Sequence, residues 1–282
     1  MFDRISASFT LASNSWQVLR QDKKLIIFPI LSGIGCFLVL ASFILPLFLI
    51  RPAWLTLPNN GAPQSPWPYV LAFAYYFCNY FVIVFCNAAL ISCALIRFNG
   101  GEPAIGDGIN AAASRMPQIL AWAFVSATVG IILKLIENVH EKAGAFISAI
   151  LGTAWAVMTY FVVPVLVVEK LGPLDAVKRS MSILRKAWGE ALVGHVGIGF
   201  FMFLLSLPGV IILAVGVALA TTQLALGVPV VFLAIVYFLL LAAVSSAMHG
   251  IYLGALYQYA THGSVPSGFD GHVLERAFSR KR

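Results

Sequence analysis

The side chains able to do chemistry inside the long apolar runs of this sequence are amides and imidazoles. Asn79 and Asn87 lie in one run, and His195 and His249 lie in the last one. Polar groups at bilayer depth are candidates for a substrate path, and histidine is a candidate for proton transfer. We therefore consider a weakly polar path lined by these four residues. The alternative is that each side chain forms a hydrogen bond within a helix interface.

The sequence patterns that mark common hydrolases and metal enzymes do not occur. There is no Gly-x-Ser-x-Gly, no His-Glu-x-x-His, no phosphate-binding loop and no dinucleotide-binding glycine pattern. The run from Ala191 to Phe269 holds both histidines but contains no carboxylate, so a metal site there lacks acidic ligands. Four cysteines lie in apolar runs without a CxxC pair, which argues against zinc and disulfides: Cys36, Cys78, Cys86 and Cys93. We predict no catalytic residue, no metal and no cofactor.

The composition is that of a membrane protein. Of the 282 residues, 60% are apolar and 10% are charged, and the mean hydropathy is +0.91. A soluble domain carries roughly 25% charged residues, so this chain cannot cover a water-exposed surface with charge. The composition also excludes a disordered chain.

Runs without Asp, Glu, Lys or Arg give the number of membrane spans. A span needs about 20 helical residues. The second run, Pro52–Ile96, begins with a Pro-rich loop and holds one span. The fifth run, Ala191–Phe269, breaks near residues 221–227, with Pro229 opening the next segment, and it holds two spans. The runs are Leu25–Ile50, Pro52–Ile96, Met116–Leu133, Ala143–Val168 and Ala191–Phe269. Six spans follow.

The basic residues predict the topology. Three of the 18 Lys and Arg residues, Arg51, Lys134 and Lys142, lie on one side of the six-span arrangement, and the other 15 lie opposite. By the positive-inside rule both termini are cytoplasmic. The net charge of +7 is explained by this asymmetry and by attraction to anionic lipid headgroups, without nucleic acid. The predicted headgroup contacts are Lys23, Lys24, Lys178, Arg179, Arg185 and Lys186.

Helical periodicity precedes spans 1, 3 and 5, on the basic side each time. Before span 5 the apolar residues recur at helical spacing: Leu174, Val177, Met181, Leu184 and Trp188. We predict an all-α polytopic membrane protein with amphipathic cytoplasmic interfacial helices, forming a single integral membrane domain over residues 1–282. Three units of one amphipathic helix and two spans would cover residues 1–98, 99–169 and 170–264, with a basic tail at 265–282. An internal duplication would explain this pattern. The alternative is that any helix that enters a membrane from the cytoplasm is amphipathic and basic.

Small residues at four-residue spacing form two stripes that allow helices to approach closely. The first is Ser148, Gly152 and Ala156, and the second, which begins at Ala242, continues through Ser246, Gly250 and Gly254. Such stripes serve internal packing or dimerisation, and we favour packing. Prolines predict kinks or span ends at Pro46, Pro164 and Pro208.

The segment Pro164–Glu190 reads PVLVVEKLGPLDAVKRSMSILRKAWGE. It resembles an uncharacterised six-span family of prokaryotic membrane proteins, known as a domain of unknown function. In this element it is also similar to the membrane domain fused to some glycerophosphodiester phosphodiesterases. The resemblance implies a bacterial or archaeal membrane protein and brings no catalytic residues.

Two functions remain open. The first is a non-enzymatic inner-membrane protein that organises lipids or a membrane partner, which includes a second copy of the chain. The second is a small permease or channel along the weakly polar path. A transporter normally has broken helices or ionisable groups near the midplane. The central parts of these apolar runs contain no Asp, Glu, Lys or Arg, which favours the first function.

Overall fold

A computed structural model describes residues 2–50, 67–139 and 143–269. All regular structure in these ranges is helical, and no strand occurs among them. A short 3₁₀ turn, Lys23–Ile26, joins the first two α-helices. The helices are α1 Phe2–Gln21, α2 Ile27–Ile50, α3 Trp67–Phe98, α4 Ile105–Ala113, α5 Met116–Val139, α6 Ala143–Met158, α7 Val162–Val168, α8 Pro173–Thr222 and α9 Leu224–His262.

Six helical segments are long and apolar enough to cross a membrane, which confirms the predicted number. In chain order they are spans 1 to 6: Lys23–Leu49, Trp67–Phe98, Met116–Asn138, Ala143–Val168, Gly197–Thr222 and Leu224–His262. The predicted break in the last apolar run lies at Gln223, between α8 and α9. Pro229 does not open the next segment as predicted, because α9 begins five residues earlier and continues through it. Prolines are tolerated inside such helices when neighbours satisfy the freed backbone groups.

The chain divides into two compact units, each built from separate stretches of sequence. The terminal unit comprises Met1–Pro29, Cys93–Ile105 and Arg185–Arg282, as far as these residues are described. The middle unit comprises Ile30–Ser92 and Gly106–Leu184. Neither set of boundaries coincides with those of the three predicted repeats, which remain a prediction.

In the middle unit, aromatic contacts join α3 to its neighbours. The ring of Tyr75 lies edge-on to Phe43 of α2 at 5.7 Å, and the ring of Phe73 lies edge-on to Phe124 of α5 at 5.3 Å. Edge-to-face geometry is favourable between aromatic rings. These contacts fix α3 beside both α2 and α5.

In the terminal unit, α8 and α9 run antiparallel, and glycines let them approach closely. A side chain added at Gly209 would meet the ring of Tyr237, and one added at Gly216 would meet the backbone of Val231. The Tyr237 hydroxyl donates a hydrogen bond to the Leu205 carbonyl oxygen, one turn before Pro208. α8 continues through this proline, so of the two predicted alternatives, a kink or a span end, the span end is wrong. α1 also packs against α9.

The residues after α9 return to the end of α3. Gly263 ends α9 in the left-handed conformation, which glycine adopts without steric cost. The Ser267 hydroxyl then donates to the carbonyl oxygen of Phe98, at 2.6 Å. The rings of Phe269 and Phe98 meet edge-on at 5.8 Å. This segment satisfies a carbonyl that the C-terminus of α3 leaves without a helical partner.

Candidate functional site

The four residues of the predicted polar path fall in different units. Asn79 belongs to the middle unit and donates its amide to the carbonyl oxygen of Tyr75, at 2.9 Å in its own helix. Asn87 is half-buried in the same unit. In the terminal unit, His249 places Nδ1 2.9 Å from the Ser245 carbonyl oxygen. His195 lies in α8 among residues whose side chains are outside the described set.

Metal binding finds no support in the described ranges. No group of three or more His, Cys, Asp or Glu side chains that could hold an ion occurs there. The buried thiol of Cys93 lies 3.5 Å from the carbonyl oxygen of Ala104, a contact with backbone rather than with another ligand.

The first small-residue stripe joins α6 to α5. The Ser148 hydroxyl donates to the Leu133 carbonyl oxygen at 3.0 Å, and Gly152 faces the same leucine side chain. Ala156 is exposed, so the stripe does not continue through it. It begins instead one turn earlier at Gly144, where an added methyl group would lie 2.5 Å from the Ile136 carbonyl oxygen.

The second stripe lies beside the packed face of α9. Ser246 is exposed and Gly250 is half-buried, whereas Gly254 is buried. The buried small residues in these turns are Ala243 and Ala247. Each follows a residue of the stripe, Ala242 or Ser246, by one position. One residue rotates a helix position by about 100°, since a turn holds 3.6 residues. The stripe chosen from the sequence is thus displaced from the face that packs.

Span 4 is split near its end on the predicted cytoplasmic side. α6 ends at Met158 and α7 begins at Val162, so the backbone between them leaves the helical pattern. The Phe161 backbone N–H donates to the hydroxyl of Ser180 in α8, at 3.0 Å, and both residues are fully buried. Pro164 is the third residue of α7, where a missing N–H costs nothing. The predicted kink is therefore a break that lies just before this proline.

The same segment contains an ion pair across the α7–α8 turn. Arg179 Nε donates to both carboxylate oxygens of Glu169, at 2.8 Å each. Arg115 Nε donates to the Val167 carbonyl oxygen at 3.0 Å, where a cation suits the negative end of α7. Lys170 has a φ of 59° and turns the chain after α7. The segment that carries the family resemblance thus forms a bonded turn, and Arg179, a predicted headgroup contact, already has a protein partner.

The first part of α8 has a packed face and an exposed face. The packed face consists of buried residues, mostly small or aliphatic: Ala176, Ser180, Ile183, Leu184 and Ala187. The exposed face carries Lys178, Arg185 and Lys186. The apolar face predicted from the sequence is rotated from the packed face. Leu174 of the predicted face is 72% exposed, whereas Ala176 and Ser180, whose small side chains allow close approach, are buried. The helix breaks at Ala187, where φ is −110° and ψ is 19°, before span 5 begins.

α1 likewise has two faces. Its packed face is buried at Ala12, Ser15, Val18 and Leu19. Its other face is mostly exposed and borders an open cavity of about 510 Å³, lined by Ser13, Trp16, Gln17, Arg20 and Gln21. The polar residues that line this cavity were not among the site residues predicted from the sequence. Their recurrence at three- and four-residue spacing was the available signal.

The basic residues that follow α1 lie at the beginning of span 1. Lys23 and Lys24 are exposed, and span 1 begins at Lys23. Both are in the terminal unit, together with the cavity of α1. Their contact with lipid headgroups stays a prediction.

Comparison with known proteins identifies a family. A model of a family described as a family of unknown function (DUF6159) matches residues 67–269, well over half of the chain. α1 and span 1 precede the matched region. No curated protein matches the chain.

Proposed function

The chain belongs to DUF6159, a family of unknown function, and we propose that it is a non-enzymatic membrane protein that binds anionic phospholipid on its basic side. The observation that carries this proposal is the exposed face of the first part of α8. There Lys178, Arg185 and Lys186 are exposed while the opposite face is packed against protein. This part of α8 precedes span 5, with the break at Ala187 between them, so we expect its charges on the membrane surface.

The expected attraction is large enough to matter. A basic residue near an anionic membrane surface contributes about 1 kcal/mol before screening. Lys178 is 3.4 Å from Asp175, but both side chains are more than two-thirds exposed, so this ion pair competes weakly with lipid. Together with Lys23 and Lys24, the exposed residues supply several charges at the ends of two spans.

The finer parts of the proposal follow from the charge asymmetry and the sequence resemblance. The protein resides in the cytoplasmic membrane of a bacterium or archaeon, with both termini cytoplasmic and the amphipathic helices lying on the inner leaflet. Similarity of residues 164–190 to the membrane domain of glycerophosphodiester phosphodiesterases fits a role beside lipids. A membrane-protein partner, or a second copy of the chain, is the alternative occupant of its apolar surface.

A small permease is the second candidate, and the split of span 4 favours it. Broken helices line the binding sites of many transporters. Here, however, the Phe161 N–H is bonded to Ser180, and Asn79 is bonded within its own helix. Changing Asn79 and Asn87 to Ala tests this candidate. A change in solute leak from reconstituted vesicles, without a change in melting temperature, would favour the permease over the lipid-binding protein.

The experiment for the proposed function measures thermal stability in nanodiscs of phosphatidylcholine, with and without phosphatidylglycerol. The wild type is expected to melt higher when phosphatidylglycerol is present. Reversal of Lys178, Arg185 and Lys186 to Glu should remove most of this difference. The matched control changes them to Arg, Lys and Arg, which keeps every charge and should keep the difference. If the melting temperature of the wild type is the same with and without phosphatidylglycerol, the proposal is refuted.

A further inference from the structure

The cavity on α1 is lined by hydrogen-bond donors and one positive charge. Arg20 has five N–H donors, Gln17 and Gln21 have amide donors, and Ser13 has a hydroxyl. No acidic side chain is among the described residues that line the cavity. A guanidinium with neutral donors around it suits a phosphate oxygen, because charge-assisted hydrogen bonds are the strong ones.

Two features place this cavity beside the first residues of two apolar spans. Trp16 lies 6.4 Å, ring to ring, from Phe201, which is in the second turn of span 5. Arg20 and Gln21 end α1, and span 1 begins at Lys23. Tryptophan is enriched at this level, where its ring meets the headgroups. We therefore expect lipid phosphates at the level of this cavity.

A second guanidinium orients one side of the cavity. Arg97 Nη2 donates to the amide oxygen of Gln21 at 3.5 Å. Because the oxygen of Gln21 accepts this bond, its NH₂ group remains the part of the amide that can donate to a ligand. Arg97 also adds a second positive charge beside the cavity.

We infer that this cavity is a specific site for the headgroup of one anionic phospholipid. Arg20 binds the phosphate, and the amides of Gln17 and Gln21 bind phosphate or headgroup oxygens. This inference rests on the proposed function and deepens it, since it separates one defined site from the general attraction of the basic surface.

Native mass spectrometry of the full chain in a neutral detergent tests the site. The purified protein is titrated with phosphatidylglycerol, and the apparent Kd of the tightest binding event is measured for wild type and Arg20→Gln. The variant is expected to bind at least about 10-fold more weakly, as loss of one charge-assisted bond implies. The matched control is Lys170→Gln, which removes an exposed charge that does not line the cavity and should stay within about twofold of wild type.

Two soluble competitors and two further variants test whether the cavity binds lipid through Arg20. Millimolar inorganic phosphate and water-soluble glycerophosphoglycerol should not displace the lipid, because the acyl chains also bind. Displacement by either would overturn the assignment to lipid in favour of a soluble phosphate ligand. Arg20→Lys keeps the charge but loses the planar fork, so its affinity should lie between those of wild type and Arg20→Gln. Should Arg20→Gln fail to fold, Gln17→Leu replaces it, with the same direction of effect expected.

Two outcomes separate this site from the proposed function. Equal Kd values for Arg20→Gln and Lys170→Gln would overturn the site. If the α8 variants nevertheless lost their stabilisation by phosphatidylglycerol, the proposed function would stand without it. A wild type that binds no anionic lipid would overturn both.

Discussion

At the scale of single residues, polar side chains satisfy backbone groups where the helices end or break. Ser180 accepts from the Phe161 N–H, while Arg115 and Ser267 donate to the carbonyl oxygens of Val167 and Phe98. In a membrane no water replaces a missing partner, so each unsatisfied group is costly. These side chains are therefore structural, although their types would also suit a catalytic or binding site.

Ser180 offers the sharpest test of this role. Ser180→Ala leaves the buried Phe161 N–H without its acceptor, which should destabilise the protein by about 1–3 kcal/mol. Ser182→Ala is the control, because Ser182 is exposed on the same helix. Unfolding in mixed micelles measures both variants. Equal stabilities of the two variants would show that the Ser180 bond does not hold the break in span 4.

The two ion pairs around the α7–α8 turn should differ in strength. A double-mutant cycle with Glu169→Gln and Arg179→Gln should give a coupling of up to about 1 kcal/mol, discounted because Arg179 is 39% exposed. The cycle for Asp175 and Lys178, whose side chains are 67% and 76% exposed, should give a coupling near zero. Unfolding free energies at low and high salt measure both. A stronger coupling for the second pair would contradict the ranking.

At the scale of elements, the six spans were predictable and the break in one of them was not. Charge-free runs of sufficient length give the spans, because charge is expensive in lipid. The break at residues 159–161 lies inside such a run, and the partner that permits it, Ser180, is 19 residues away. Nothing in the sequence distinguishes Ser180 from Ser182. Likewise, the packed face of α8 depends on how closely Ala176 and Ser180 approach their neighbours, which periodicity does not report.

The α8–α9 hairpin provides a prediction about helix approach. Gly227 lies against the backbone of Ala220, so Gly227→Ala forces the two helices apart at a point where no side chain can yield. We expect a loss of about 1–3 kcal/mol, typical of overpacking. Gly199→Ala in α8 meets nothing within 4 Å and should be neutral or stabilising by up to about 1 kcal/mol, from helix propensity. Melting temperatures that fall equally in both variants would contradict this packing.

At the scale of the whole molecule, the sequence predicts which side faces the cytoplasm but not how the chain divides. The two compact units combine distant stretches, and their boundaries fall within α2, α3, α4 and α8 rather than in loops. Composition and periodicity are local properties, so they cannot report such a division. The charge asymmetry, in contrast, sums over the chain and remains visible in the sequence.

Topology is the prediction that belongs to this scale. With 15 of 18 basic residues on one side of six spans, both termini should be cytoplasmic. A reporter that is active only in the cytoplasm, fused after Arg282, should be active. The same reporter inserted after Lys142 should be inactive. The reverse pattern would invert the arrangement and remove the basis for placing the basic helices on the inner leaflet.

The most direct test of lipid binding is the composition of the phospholipid that purifies with the protein, compared with that of the host membrane. The account predicts that anionic phospholipid is enriched on the wild type relative to the bulk membrane. It also predicts that this enrichment is lost when Lys178, Arg185 and Lys186 are changed to Glu. Co-purified lipid that mirrors the bulk membrane for both proteins would contradict the account.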